Sequence, residues 1–254
     1  MFKILFLKII FFSIMLGCST ERPSGKTQAE ILFKEAKQLA DKSRFLLATE
    51  KLNTIRSKYP YSYYATHAEL LHADILFSQD NYSEAAAAYI MFKDFHPKHP
   101  KLAYVVWRIS ESFFNQLPST YDRDLSSGQE SIKHYSYLIQ HFPNSEYKQK
   151  AQDRIRHCRN MIEMHEKYVA DFYYKTGDYD AAIFRYKYIL NKFDTGSLLE
   201  HSMKRIVEAS FKMEDFVGCV KVSKLYKSRV SDEIRREIDD FEQKCQNKIV
   251  HKAD

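Results

Sequence analysis

Residues 81–97, Asn81-Tyr82-Ser83-Glu84-Ala85-Ala86-Ala87-Ala88-Tyr89-Ile90-Met91-Phe92-Lys93-Asp94-Phe95-His96-Pro97, carry the pattern that decides the fold. A turn residue precedes an aromatic, a small residue follows three later, a large one stands four beyond that, and proline comes twelve beyond the small one. This is the arithmetic of a helical hairpin. A small residue near the start of the second helix lets it approach the first closely, the large residue fills the groove one turn later, and proline stops the hydrogen-bond ladder. The unit recurs as Arg44-Phe45-x-x-Ala48, Asp178-Tyr179-x-x-Ala182 and Asp215-Phe216-x-x-Cys219, with a weaker copy at Gly128-x-x-Ser131. The large position is filled by Leu52, Tyr89, Tyr135 and Tyr186, and by Ser223 against the rule. The stop position holds Pro60, Pro97 and Pro143, with Asp194 in place of the fourth proline.

These units resemble the tetratricopeptide pattern in their small, aromatic and proline positions, although its Trp and Gly positions are largely lost. Composition agrees. Of 254 residues 44% are hydrophobic and 15% aromatic, too apolar for disorder, and six Gly with six Pro are too few for a turn-rich sheet protein. No proline follows Pro143. The expected fold class is all-α, a tetratricopeptide-like α-solenoid of about five helical hairpins plus a C-terminal capping helix.

The small residues are spaced 37, 46, 51 and 37 apart, so against the family's 34-residue period the second and third gaps hold insertions. One insertion is Leu117–Gly128, LPSTYDRDLSSG, whose Pro, Ser and Asp content predicts an exposed loop. The other is absorbed by a long helix predicted over Ser145 to Thr176. There Tyr147, Ala151, Ile155, Cys158, Ile162, Val169 and Phe172 keep one face apolar and Gly177 ends it. At ~1.5 Å per residue it spans roughly 48 Å, enough to join two halves rigidly. A last amphipathic helix, about Ser231 to Ile249, has Ile234, Ile238, Phe241 and Cys245 on one stripe. The organisation expected is therefore a leader over 1–17, a tether over 18–26, repeats 1–3 over 27–143, the long helix with repeats 4–5 over 144–228, and a cap and tail over 229–254. Thr27-Gln28-Ala29-Glu30 reads as a capping box that opens the folded part.

The leader places Lys3 and Lys8 ahead of an apolar core about half the ~20 residues a membrane span requires, which makes it a secretory signal. Met15-Leu16-Gly17-Cys18 resembles a bacterial lipobox, and it implies covalent N-acyl and S-diacylglycerol chains on Cys18 and no other cofactor. Two or more chains anchor durably, at ~0.8 kcal/mol per buried methylene. Ser19 rather than Asp favours the outer membrane. Removing residues 1–17 takes Lys3 and Lys8 and lowers the formal charge from +6 to +4, a surplus too small and dispersed to argue for nucleic acid. Cys158, Cys219 and Cys245 are left in an oxidising compartment. They are expected to be helix-buried thiols, with pairing between two of them left open.

Five further stretches follow in order: Tyr59-Pro60-x-x-x-Tyr64, His99-Pro100-x-x-x-Tyr104, Asp122-Arg123-Asp124, Phe142-Pro143-Asn144-Ser145-x-Tyr147, and Val169-Ala170-x-Phe172-Tyr173-Tyr174-x-x-Gly177. In this order and spacing, and with the lipobox, the chain resembles the BamD family, also called ComL or YfiO. These are lipoproteins of the outer-membrane β-barrel assembly machinery. The resemblance runs from about residue 28 to 228. It implies a periplasm-facing, lipid-anchored scaffold at the bacterial outer membrane. Its partners would be a POTRA-containing outer-membrane barrel subunit, accessory assembly lipoproteins and unfolded outer-membrane protein substrates. It further implies that N-terminal repeats hold the aromatic-ended, alternating C-terminal segment of a barrel substrate. Tyr59, Tyr61, Tyr63, Tyr64 and Phe77 are candidates for that contact, Tyr61 and Tyr63 being the pair most expected to be exposed. Arg185 matches the family's basic residue for a carboxylate on the POTRA-bearing partner. Asp122, Arg123 and Asp124 either shape the inserted loop or touch an accessory lipoprotein.

Catalytic signatures are weak. His96-x-x-His99 has metal-like spacing, but Pro97 and Pro100 put it in a turn, and turn decoration is the favoured reading. There is no Gly-rich phosphate loop and no G-x-S-x-G elbow. Cys158 has Arg156, His157 and Arg159 around it, yet its place in the apolar stripe favours packing. No catalytic residue, no metal and no enzyme activity are expected. The alternatives are a tetratricopeptide lipoprotein that coordinates cell-wall synthesis or envelope constriction, and a lipid-anchored hydrolase.

Overall fold

In a computed structural model, the described part of the chain is residues 23–253. The leader over 1–17 and Cys18 lie outside it. The described residues form eleven α-helices and no strand. They are α1 (Gln28–Asp41), α2 (Phe45–Lys58), α3 (Tyr63–Ser78), α4 (Tyr82–Phe95), α5 (Leu102–Phe114), α6 (Ser126–His141), α7 (Lys148–Thr176), α8 (Tyr179–Lys192), α9 (Gly196–Lys212), α10 (Phe216–Tyr226) and α11 (Asp232–Ala253). Two compact units meet inside α4, the first ending at Ala88 and the second beginning at Tyr89. The architecture is all-α and tetratricopeptide-like.

The first unit packs α1, α2 and α3 around Leu32, Ala36, Ala48, Leu52, Ile55 and Ala68. In the second, α5, α6 and α7 share a core of Val106, Trp107, Tyr135, Leu138, Ala151 and Ile155. Farther along, α7 to α11 enclose Ala182, Tyr186, Ile189, Ile206, Val207 and Ile238. The repeat positions explain this. Ala48, Ala85, Ser131, Ala182 and Cys219 are all 0% exposed, and so are Leu52, Tyr89, Tyr135, Tyr186 and Ser223. A third row seven residues past the small one, Ile55, Phe92, Leu138, Ile189 and Tyr226, is also buried. Positions i, i+4 and i+7 thus form the inward stripe of each second helix. In the weak copy, Gly128 permits the close approach, since a Cβ there would meet Leu117 Cδ1 at 2.7 Å. The Ser131 hydroxyl donates to the Ser110 carbonyl at 3.3 Å.

Four of the turns between paired helices share one geometry. Ser43, Asp80, Gly177 and Glu214 have φ of 56°, 59°, 84° and 60°, each immediately before the turn residue of a repeat. Both bonds of a Schellman motif close each turn. At the third turn Gly177 N–H donates to the Tyr174 carbonyl at 3.3 Å and Asp178 N–H to that of Tyr173 at 3.0 Å. Next, Asp178 and Asp215 cap their helices by accepting from Ala181 N–H at 3.2 Å and Gly218 N–H at 2.9 Å. At the entry to α1, Thr27 Oγ1 accepts from Glu30 N–H at 3.2 Å. The Glu30 carboxylate reaches past Thr27 to Lys26 N–H at 2.9 Å, so the box is displaced by one residue.

Three expectations need correction. The long helix begins at Lys148, not Ser145, because Ser145 closes a turn onto the Phe142 carbonyl at 3.0 Å and accepts from Tyr147 N–H at 3.2 Å. That turn stacks the Tyr147 ring on Trp107, with centroids 5.2 Å apart. Second, Phe172 does not continue the buried stripe. The Gly177 hairpin sets the register, turning Ala170 and Tyr173 inward and leaving Phe172 outside. Third, Cys219 and Cys245 form a disulfide rather than separate thiols, tying α10 to α11, while Cys158 is free and buried. The cap stripe is otherwise as expected, with Ile238 and Cys245 at 0% exposure and Ile234 and Phe241 packed against the same core.

The turn geometry and the disulfide can each be read in urea denaturation. A Cβ on Gly177 meets nothing within 4 Å, so Gly177→Ala should lose only the left-handed backbone preference, about 1–2 kcal/mol, and Ser43→Gly, at a φ of 56°, should gain stability for the same reason. Cys245→Ser should lose about 3.5 kcal/mol, the chain-entropy value for a loop with 26-residue separation, and reductant should do the same to the parent protein.

Candidate binding surfaces

In the first unit, the turn after α2 delivers an aromatic group. Pro60 lies two residues past the end of α2, where Tyr59 N–H still donates to the Ile55 carbonyl at 2.8 Å. Tyr59 and Tyr64 are half-buried and pack against the core of this unit, whereas Tyr61 is fully exposed and Tyr63 is 72% exposed. Tyr63 and His67, one turn apart on α3, bring their rings to 4.2 Å. The His67 Nδ1–H donates to the Tyr63 carbonyl at 3.0 Å. Tyr64 stands 5.4 Å from Tyr63 and 5.6 Å from Phe33 of α1. Burial, then the Glu30 carboxylate, push the Tyr64 hydroxyl pKa up. Phe77 is half-buried at the other end of α3, edge-on to Tyr82 at 5.1 Å. The structure therefore groups Tyr63 and Tyr64 with Phe33 and His67, neither of which stood out in the sequence, and leaves Phe77 in hairpin packing.

In the second unit, Arg185 on α8 is half-exposed and reaches Glu166 of α7, Nη1 to Oε2, at 3.6 Å. Glu166 also lines a cavity of about 680 Å³ among α6, α7 and α8. The inserted loop is shaped from within. Asp124 accepts from the Ser126 hydroxyl at 2.5 Å, and a hydrogen bond from the Thr120 side chain holds the Asp122 carboxyl below its usual range. Arg123 is exposed. The loop is held to α7 by His165 Nδ1–H, which donates to the Tyr121 carbonyl at 2.5 Å.

Sequence reasoning missed a polar hub under this surface. Asp171 accepts from the Tyr186 hydroxyl at 2.6 Å, His201 Nε2–H at 2.7 Å and Lys167 at 2.7 Å. Burial alone would raise its pKa, but the bonds from His201, Lys167 and Tyr186 outweigh it and hold the carboxyl far below the usual range. A sister arrangement joins the Tyr135 hydroxyl to Glu111, which pairs with Arg154 at 3.3 Å. The visible signal is a tyrosine four residues past a small one, whose hydroxyl needs a partner once buried. His96 and His99 lie in the turn after α4 and set their rings 4.7 Å and 5.0 Å from Phe92. Among the described residues no group of three His, Cys, Asp or Glu is placed to hold a metal ion. Nor is any helix there long and apolar enough to cross a membrane. The Cys158 thiol pKa is raised, chiefly by burial.

Residues 25–215 match the family model described as YfiO, outer membrane lipoprotein. Among curated relatives, the chain is similar to the outer membrane protein assembly factor BamD of Neisseria gonorrhoeae, at 30% identity over 82% of this chain and 86% of that one. It is 26% identical to the Rickettsia prowazekii protein of the same name, over 82% and 83%. The Vibrio cholerae one is 24% identical over 79% and 88%.

For the hub, Asp171→Ala should lose about 2–3 kcal/mol at pH 7, because two donors and a lysine are left without their acceptor. A depressed carboxyl contributes stability above about pH 4, the value in the unfolded chain, and that contribution goes as pH falls below it. The stability gap between parent and variant should therefore narrow between about pH 4 and pH 2, read by chemical denaturation at each pH.

Proposed function

We propose a role for this chain from one premise: it belongs to the YfiO family of outer membrane lipoproteins. In this reading it is a periplasm-facing outer-membrane assembly factor, tied to the bilayer by lipid on Cys18, that holds polypeptides and carries out no reaction. The observation that carries it is the exposure of Tyr61 and Tyr63, the latter joined to the ring cluster of Phe33, Tyr64 and His67. Tyr61 and Tyr63, two residues apart and both exposed, leave their rings available to a partner. Aromatic side chains give large contact area at small entropic cost and account for much of the binding energy where they are buried on association.

The occupant of this surface is the C-terminal segment of an unfolded outer-membrane barrel protein, which alternates apolar and polar side chains and ends in an aromatic residue. Tyr61 and Tyr63 receive its rings, and Tyr59 and Tyr64 back them from the core. In the second unit, Arg185 turns from Glu166 to a carboxylate on the POTRA-bearing barrel subunit. Its 3.6 Å separation from Glu166 is long for a charge-assisted hydrogen bond, so a bidentate carboxylate can compete for the guanidinium. Asp122 and Asp124 serve the loop itself, and Arg123 is the member of that trio offered to an accessory lipoprotein.

The test is a photocrosslinking residue placed at Tyr61 in the full chain within intact envelopes. Barrel precursors should be captured, and Tyr63→Ala should reduce capture about tenfold while changing folding stability by no more than about 0.5 kcal/mol. Capture of cell-wall synthases instead would overturn the reading. Radiolabelled fatty acid should enter the parent chain and not Cys18→Ser.

A further inference from the structure

The outward stripe of α7 carries an assignment that neither the tyrosine surface nor Arg185 supplies. Met164, Tyr168 and Phe172 stand at four-residue steps, so they lie on one side of the helix, and they are 48%, 46% and 52% exposed. The inserted loop walls this stripe. Tyr121 sets its ring 5.9 Å from Tyr168, edge-on, and its carbonyl is fastened to His165 of the same helix. Between wall and stripe runs a trough of about 590 Å³, bordered by Lys167 and Lys175. Asp171, also in its lining, is already engaged by Lys167, His201 and Tyr186, and Lys175 is exposed. The lining is therefore apolar with an unmatched positive end.

We infer that this trough docks a short segment of a partner polypeptide in which apolar side chains alternate with Asp or Glu. The stripe is ~12 Å long at 1.5 Å per residue, the reach of about four residues of extended chain. Apolar residues of the segment fill the space between Tyr121 and the α7 stripe, and a carboxylate meets Lys175. An anionic bilayer is the poorer match, because recognition of headgroups calls for a cluster of several Lys and Arg on an open face, whereas this site is walled and has one unmatched cation.

The probe is a fluorescein-labelled nonapeptide alternating Phe or Leu with Glu, titrated by anisotropy against the full chain in non-ionic detergent. A second peptide has Lys in place of Glu, and phosphatidylglycerol vesicles are tested by flotation. The Glu peptide should bind about tenfold more tightly than the Lys peptide, Phe172→Asp should weaken it about tenfold, and Lys175→Glu about fivefold. Phe172→Ser, milder at an exposed position, replaces Phe172→Asp if the latter lowers the melting temperature. Equal binding of the two peptides, or peptide binding indifferent to both Phe172 variants, overturns the proposal. So does a dependence on Phe172 and Lys175 that appears only in vesicle flotation.

Discussion

The close approach of paired helices at Ala48, Ala85, Ser131, Ala182 and Cys219 is the constraint on which the remaining features rest. Each side chain is 0% exposed, and each second helix presents it where a larger group would hold the backbones apart. Interiors are packed as tightly as organic crystals, so a few added carbons at such a point displace a whole helix rather than one side chain. Because the small residue comes first, the large ones four and seven residues later meet their grooves in register. Where neither Ala nor Cys is used, the contact is made polar, and Ser131 spends its hydroxyl on the Ser110 carbonyl.

Much of this was legible because a hairpin repeat writes its packing into fixed intervals. The small positions, the prolines after α2, α4 and α6, the amphipathic α11 and the exposed pair Tyr61 and Tyr63 all follow from spacing. Other features leave no periodic trace. The left-handed turn residues are invisible at three of four turns, since Ser43, Asp80 and Glu214 stand where glycine would have announced them. Phe172 looks like core until the turn at Gly177 fixes which way the second half of α7 rolls. Cys219 and Cys245 lie 26 residues apart with no motif between them, and only the antiparallel course of α10 and α11 brings them together. The binding surfaces were half legible for a related reason: Phe33 and His67 join Tyr63 and Tyr64 through the packing of α1 on α3, which no linear interval records.

Buried polarity obeys the same register. Asp74, Asp171 and Glu208 each stand six residues before a left-handed turn residue; Asp171 engages Tyr186 and His201 of neighbouring helices, and Glu208 pairs with Arg205 of its own helix at 2.6 Å. Apolar contacts alone permit one helix to slide along another. A carboxylate that must meet a tyrosine hydroxyl or an imidazole permits one position, because leaving such a group unpaired in the interior is costly. The hub thus complements the small-residue contacts, which fix separation, by fixing axial offset.

The bridge between α10 and α11 also bears on the order in which these two helices are secured. Both of its sulfurs follow the hairpin turn at Glu214, one on each of the two helices it joins. The clasp can close only after two finished helices lie side by side, and only where electrons can be given up. Oxidation thus locks α11 onto α10, and a reduced molecule holds that helix by non-covalent contacts alone.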